Sequence, residues 1–310
     1  MPVKNGSLWL PRLADFCSQE LVASDEVIII DDSSEDDSLI VAKELNFGRA
    51  TKIILKNSGN GLVDALNFGI SKASKEWIAR FDIDDEYVLG RLKEQFACAT
   101  DEVVLIFSDF RVLINGEEDV GLFLSPVFDL PTKLSLARSQ RTAHPIALIK
   151  KSALINAGGY FHDEYPAEDL GLWLRMSSLG KFASTPNVLL KYNWRSSSIS
   201  SQNYALIKKI SKDLFTQYYR KDILKRLSPG EILNIYNSYK QLPKWRARQL
   251  LFIYDLLSKP IRKETSLEQK LAIARLSIFV MVHIRYYPVI VQFALKKIQR
   301  YKVRKQQSKT

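Results

Sequence analysis

The apolar positions of the first two hundred residues fall into blocks with two periods. Residues 26–30, 51–55, 77–81 and 103–108 are short runs rich in Ile, Val and Leu, with the composition of strands buried on both faces. Between them, residues 37–45 and 63–73 place apolar side chains at helical spacing, with polar residues positioned to cap the first of the two. Strands alternating with helices predict an α/β fold with a mostly parallel sheet covered on both faces. In such sheets ligands bind beyond the carboxyl ends of the strands.

Two of the predicted strands end in acidic clusters. Residues 26–30 run into Asp31-Asp32-Ser33-Ser34-Glu35-Asp36, and residues 77–81 run into Asp82-Ile83-Asp84-Asp85. Both clusters therefore line one crevice, although about fifty residues separate them. Three carboxylates in four positions repel one another, and an external cation is the natural counterweight. Mg2+ and Mn2+ take oxygen ligands, and Mg2+ binds through one or two carboxylates with substrate phosphates completing its shell. The competing reading is an acidic loop capping the following helix. Glu168-Asp169 form a third acidic site, before the amphipathic run Leu170, Leu172, Trp173, Leu174 and Met176, where the helix dipole favours carboxylates.

Composition narrows the classes. With 46% hydrophobic and 25% charged residues among 310, the chain can bury a large core and is not generically disordered. Cys17 and Cys98 lack CxxC or Cys/His spacing, which argues against zinc and for free thiols. The loop Lys56-Asn57-Ser58-Gly59-Asn60-Gly61 is not a GxxxxGK[ST] loop, and no GxGxxG follows a strand, so P-loop and dinucleotide chemistry are poorly supported. Three histidines offer no persuasive nucleophilic triad.

Five stretches, in order, resemble family 2 glycosyltransferases, inverting nucleotide-sugar enzymes of the GT-A fold. Met-Pro-Val-Lys-Asn-Gly at 1–6 resembles PVYNG, and Asp31 to Asp36 is similar to DDGSTD. Asn57 to Ile70 resembles NxGxxxALNxGI, Ala79 to Asp85 resembles ARxDADD, and Ala167 to Arg175 resembles the EDxxLWLR helix. The resemblance covers roughly residues 1–200. It implies a nucleotide-sugar site of Pro2, Asp31, Asp32, Asn57, Arg80, Asp82, His144 and Arg195, with Asp31 or Asp32 accepting from the nucleobase. Asp84, with Asp82, would ligate Mn2+ or Mg2+, and Asp85 would be an outer ligand or a cap. Asp169 would be the general base and Glu168 the second candidate. Arg195 stands where many relatives end in a YRxH-like motif, and an Arg there could pair with diphosphate oxygens. His144 precedes the strand-like residues 146–149, and its alternative role is structural. The resemblance further implies a UDP- or dTDP-sugar donor and a glycan or lipid-linked acceptor in cell-surface polysaccharide synthesis. Relatives carry apolar residues ahead of PVYNG. Either translation begins upstream of Met1 or the sheet lacks most of its first strand, and the unpaired edges left by the second favour the first.

Charge divides the chain. Residues 1–203 hold 21 Lys and Arg against 28 Asp and Glu, net −7, whereas residues 204–310 hold 24 against 6, net +18. This predicts a catalytic domain over 1–203 and a basic, mainly helical region over 204–310, joined at the Ser-rich stretch Ser196-Ser197-Ser198. Residues 204–219, 229–241, 245–258 and 267–300 read as helices. The apolar stretch 276–295 is interrupted by His283, Arg285 and Pro288, which argues against a membrane span and for a peripheral attachment to an anionic surface, or a helical cap on the catalytic domain. No secretory signal pattern opens the chain, so a cytoplasmic location, peripheral at the inner face of the membrane, is expected. Two other classes stay in view: a nucleotide-sugar-binding homologue without turnover, and a polyanion or nucleic-acid binder using the basic region.

Overall fold

The structure, a computed structural model, describes residues 1–123, 125, 129, 133, 136 and 142–218. Two sheets share the work. The first is a three-stranded parallel sheet in the order β1-β2-β3, from β1 (Pro2–Val3), β2 (Glu26–Asp31) and β3 (Thr51–Lys56). Helices α1 (Leu10–Glu20), α2 (Ser38–Glu44) and α3 (Leu62–Lys72) alternate with these strands; the apolar periodicity predicts α2 and α3, and α1 is added by the structure.

The second sheet is mixed. It is built from β4 (Trp77–Ala79), β5 (Glu86–Tyr87), β6 (Val103–Ile114), β7 (Glu118–Phe123), β8 (Leu148–Lys150) and β9 (Lys181–Trp194) in the order β4-β8-β6-β9-β5, with β7 pairing β6. Only β6 and β9 run parallel; β4 with β8, β5 with β9, and β6 with β7 and β8 are antiparallel. The parallel arrangement expected from the strand-helix alternation therefore holds for β1–β3. Beyond β4 only β6 and β7 are joined by a short turn, as antiparallel neighbours can be, whereas helices intervene between β5 and β6 and between β8 and β9.

Helices α4 (Arg91–Phe96), α5 (Lys151–Asn156) and α6 (Glu168–Met176) pack on the second sheet. The core there is centred on Leu105, Phe107, Leu172, Trp173 and Leu190, and Trp173 meets Phe107 edge-on at 5.5 Å. Two further helices, α7 (Ile199–Gln202) and α8 (Tyr204–Tyr218), complete the described chain. Leu214 of α8 is buried in the same core, with Ile207, Ile210 and Phe215 packed against it. The first fifteen residues of the basic region thus belong to the unit Met1–Arg226, the second compact unit being Leu227–Thr310. The predicted helices beyond residue 219 lie outside the described residues.

β1 covers only the last two residues of β2, Pro2 standing opposite Ile30 and Val3 opposite Asp31. The Met1 ammonium donates to the Ile28 carbonyl at 2.8 Å. Next to it an apolar cavity of about 380 Å³ separates Val27 and Ile28 of β2 from Trp77, Ile78 and Ala79 of β4, floored by Leu66 and Ile70 of α3. Pro2 lines this cavity as a strand residue.

Candidate functional site

The carboxyl ends of β1, β2 and β4 open on one side of the molecule, and the acidic clusters meet there. Asp31 closes β2 at 5% exposure, and its Oδ1 has no hydrogen-bond partner. Asp32 is engaged instead. Its Oδ1 accepts from Asn57 Nδ2 at 2.6 Å and from the Gly61 amide at 3.0 Å, which pins the loop ahead of α3. Gly61 turns there at φ +85°, a backbone state that suits a residue without Cβ. Of the sequence-predicted pair, Asp31 thus keeps a buried acceptor in reserve, while Asp32 and Asn57 hold the loop. Neither caps α2, whose N-cap position is Asp37.

The loop after β1 is tied to the loop after β2. Asn5 N–H donates to Ser34 Oγ at 3.0 Å while Asn5 Oδ1 accepts from Glu35 N–H at 2.8 Å, and Gly6 N–H donates to Ser38 Oγ at 2.7 Å. Asn5 and Ser33 both sit at positive φ, 52° and 59°, so two left-handed non-glycine residues face each other at this rim.

The aspartates beyond β4 separate by environment. Asp82 pairs with buried Arg80 through Nη2 at 2.6 Å. The Asp84 carboxylate pairs with Arg195 Nη2, and its backbone carbonyl accepts from Arg12 Nη2 at 3.0 Å. Burial, then the negative charge of Asp82, raises the Asp84 pKa. Asp85 is more deeply buried and accepts from the Asn193 amide on β9 at 2.7 Å, leaving its Oδ2 without a partner. Burial and the charges of Asp82 and Asp84 push its pKa well above the usual carboxylate range. Asp85 therefore anchors the acidic turn to β9 and does not cap α4, whose N-cap position is Gly90. Among the described residues no group of three or more His, Cys, Asp or Glu is placed to hold a metal ion.

Glu168 and Asp169 open α6. Glu168 is 6% exposed with Oε2 unpartnered, and burial together with the Asp169 charge raises its pKa to about 8. Asp169 is half-buried, and its Oδ1 accepts from the Leu170 amide at 2.7 Å. Tyr160 joins this pair to the Asp82 cluster: the charges of Arg80, Glu168, Asp169 and Asp82 all act on its phenol, which burial holds neutral. His144 Nε2 lies 2.8 Å from the Tyr160 hydroxyl, and His144 packs edge-on to Trp173 at 5.9 Å. Burial, then Arg80, drives the His144 pKa well below its ordinary value, so the imidazole is neutral. On the open side, Tyr165 feels the charges of both Glu168 and Asp32. The site is a crevice with a buried free acceptor at Asp31, a cation-balanced pair at Asp82 and Asp84, and a carboxyl pair at the start of α6.

Residues 1–148 match the family model described as Glycosyl transferase family 2. Over that stretch the chain is similar to family 2 glycosyltransferases. A 187-residue stretch, 59% of this chain, is 26% identical to the amylovoran biosynthesis glycosyltransferase AmsE of Erwinia amylovora, covering 69% of that protein. The fold is GT-A, as in S. aureus TarS 1–349 in complex with UDP-GlcNAc (TM-score 0.56, 15% identity, 91% of this chain and 80% of that one). The mannosyltransferase PcManGT from Pyrobaculum calidifontis, in complex with GDP-Man and Mn2+, superposes at TM-score 0.52 and 14% identity, over 90% and 79% of the two chains.

Several residues of the candidate site escape sequence reading. Tyr160 is one: Asn67 on α3 clamps its backbone from both sides, donating to its carbonyl at 2.8 Å and accepting from its amide at 3.0 Å. The adjacent Gly158-Gly159 pair was the available signal, since both adopt positive φ and a Cβ at Gly159 would meet Asn67 Oδ1 at 2.6 Å. Trp9, Arg12 and Asn193 carry no such signal, because their parts depend on distant strands.

Proposed function

We propose that this glycosyltransferase is an inverting, metal-dependent enzyme that moves a sugar from a nucleotide-sugar donor to a hydroxyl of a glycan or lipid-linked acceptor in cell-surface polysaccharide synthesis. The observation that carries the reading is the convergence of Asp82 with Glu168 and Asp169 around Arg80 and Tyr160, with Asp84 close enough to Asp82 to feel its charge. The role of AmsE in amylovoran biosynthesis supports the polysaccharide assignment, and the Mn2+ and nucleotide sugars in the two structural relatives support the donor and the metal.

The free Oδ1 of Asp31 is the acceptor for a nucleobase N–H, a bond that a buried, otherwise unsatisfied oxygen favours. Arg195 supplies guanidinium N–H groups to diphosphate oxygens. Asp84, with Asp82, fits a hard divalent cation: two carboxylates are an incomplete ligand set that phosphate oxygens and water complete, and like-charge repulsion between them is relieved by a cation. When bound, that cation neutralises charge on the departing diphosphate.

Asp169 takes the proton of the acceptor hydroxyl as that oxygen attacks the anomeric carbon from the face opposite the diphosphate. Burial and the Asp169 charge raise the Glu168 pKa to about 8, which makes Glu168 the poorer proton acceptor at neutral pH. The Asn67 clamp and the His144–Tyr160 contact hold the wall against which the donor sugar lies. No covalent enzyme intermediate is required.

Donor hydrolysis and transfer assays with Mn2+ test the assignment. Asp84→Ala is expected to abolish the metal response, and Asp169→Asn to abolish transfer while leaving donor binding intact. Wild-type activity in both variants overturns the mechanism. Donor binding by the wild type without any transfer points instead to a nucleotide-sugar-binding homologue.

A further inference from the structure

Arg195 is held in an unusual way. Its guanidinium reaches Asp84 through Nη2, its face lies 4.3 Å from the centre of the Trp9 ring, and its Nε is buried with no hydrogen-bond partner. The backbone beneath it is fixed, since the Arg195 carbonyl accepts from Ser201 Oγ at 2.6 Å and from the Ser198 amide at 3.1 Å, and Ser198 in turn caps α7. The Ser-rich stretch that reads as a linker is thus the mount for this side chain. Trp9 is equally fixed: its amide donates to the Gly6 carbonyl at 3.0 Å, in the loop that Ser34, Ser38 and Asp36 tie to the end of β2.

A guanidinium has five N–H donors in a rigid plane, and a stacked ring holds that plane without using any of them. Trp9 therefore keeps Arg195 in the crevice with donors still unspent, which a second carboxylate in its place would not do. The pairing also has a thermodynamic consequence. A cation at Asp84 must displace Arg195, and a phosphate that takes Arg195 exposes Asp84. Each ligand thus removes the other's competitor, and such mutual relief is positive coupling by linkage.

We propose that Trp9 is a positioning residue that holds Arg195 on Asp84, and that this pair couples divalent-cation binding to nucleoside-diphosphate binding. The inference rests on the donor-site reading above. It adds to that reading a residue outside the acidic motifs and an energetic link between the two ligands.

The test measures Mn2+ affinity by electron paramagnetic resonance, with and without UDP, on the full chain and on Arg195→Gln, Trp9→Ala and Trp9→Phe. In the wild type, Mn2+ alone binds weakly and saturating UDP tightens it by about tenfold, within the usual range of coupling between sites. In Arg195→Gln, Mn2+ alone binds several-fold tighter because Asp84 has lost its competitor, and UDP tightens it by clearly less than in the wild type. Trp9→Ala shifts both values in the same direction as Arg195→Gln, whereas Trp9→Phe, which keeps a ring face, stays near wild type. A purely structural role for Trp9 would lower the melting temperature without changing the ratio of the two affinities.

Unchanged Mn2+ affinity in Arg195→Gln without UDP overturns the competition, and an unchanged UDP effect in Trp9→Ala overturns the positioning role. Failure of UDP to bind the wild type, measured by calorimetry, overturns the donor-site reading itself. The Mn2+-alone comparison still decides whether Arg195 competes at Asp84.

Discussion

Glu168 and Asp169 are neighbours in sequence with different surroundings, and that difference sets a pH dependence. The folded Glu168 carboxyl holds its proton up to about pH 8, against an ordinary value of 4.5, because burial and then the Asp169 charge disfavour its ionised form. Between those values the folded state binds more protons than the unfolded one, so this group's contribution to stability is full below pH 4.5 and is lost as pH rises through about 8. Each unit of displacement corresponds to about 1.4 kcal/mol. Glu168→Gln, isosteric with the protonated acid, is therefore expected to gain on the wild type in melting temperature as pH is raised from 6 to 9; a constant difference across that range contradicts the assignment. Asp169→Asn is expected to lower kcat by roughly 10² to 10⁴, the usual contribution of a general base, with donor KM little changed. The residue types at both positions were legible, because acids at the start of an amphipathic helix stand out. Which of the two keeps its proton was not, since that depends on Tyr160, Arg80 and Asp82, all distant in the chain.

At the scale of elements, α6 shows how a helix places a site. Seven of its nine residues are buried, Trp173 completely so, and the Trp173 ring meets Phe107 of β6 on one side and His144 on the other. Arg175, one turn on, pairs with buried Glu164 and donates to the Ala157 carbonyl at 2.9 Å, so the loop bearing Tyr160 is fastened to the same helix. Trp173→Ala removes a ring packed on both faces and is expected to cost about 3–5 kcal/mol in urea denaturation, with Trp173→Phe costing distinctly less. Equal losses in the two variants would argue against this packing role. Helical periodicity announced α6 and α3 within a residue or two of their bounds. The strands were harder: β6 continues to Ile114, well past the apolar run ending at residue 108, because pairing with β7 and β9 extends it through polar positions. Local pattern does not record such partners.

For the molecule as a whole, charge separates what pattern does not. Residues 1–203, which hold the candidate crevice, carry −7, whereas residues 204–310 carry +18. Among the described residues no helix is long and apolar enough to cross a membrane. Attachment of the basic region to an anionic surface is expected to appear as co-flotation with phosphatidylserine-containing vesicles that weakens with salt, as surface attraction screens over about 10 Å at 0.1 M. Recovery wholly in the soluble fraction at low salt counts against it. Residues 204–218 pack on the first unit through Leu214.

By itself the sequence determined the alternation of strands and helices, the three acidic clusters and their order, because these are written in local composition and in periods of 2 and 3.6 residues. Only the tertiary structure decided that Asp32 and Asn57 hold a loop while Asp31 stays free, that Asp85 is an anchor to β9, and that Arg195 lies between Asp84 and Trp9. These assignments are settled by burial and by partners from remote segments. Identical aspartates one position apart thus acquire different bonds and surroundings.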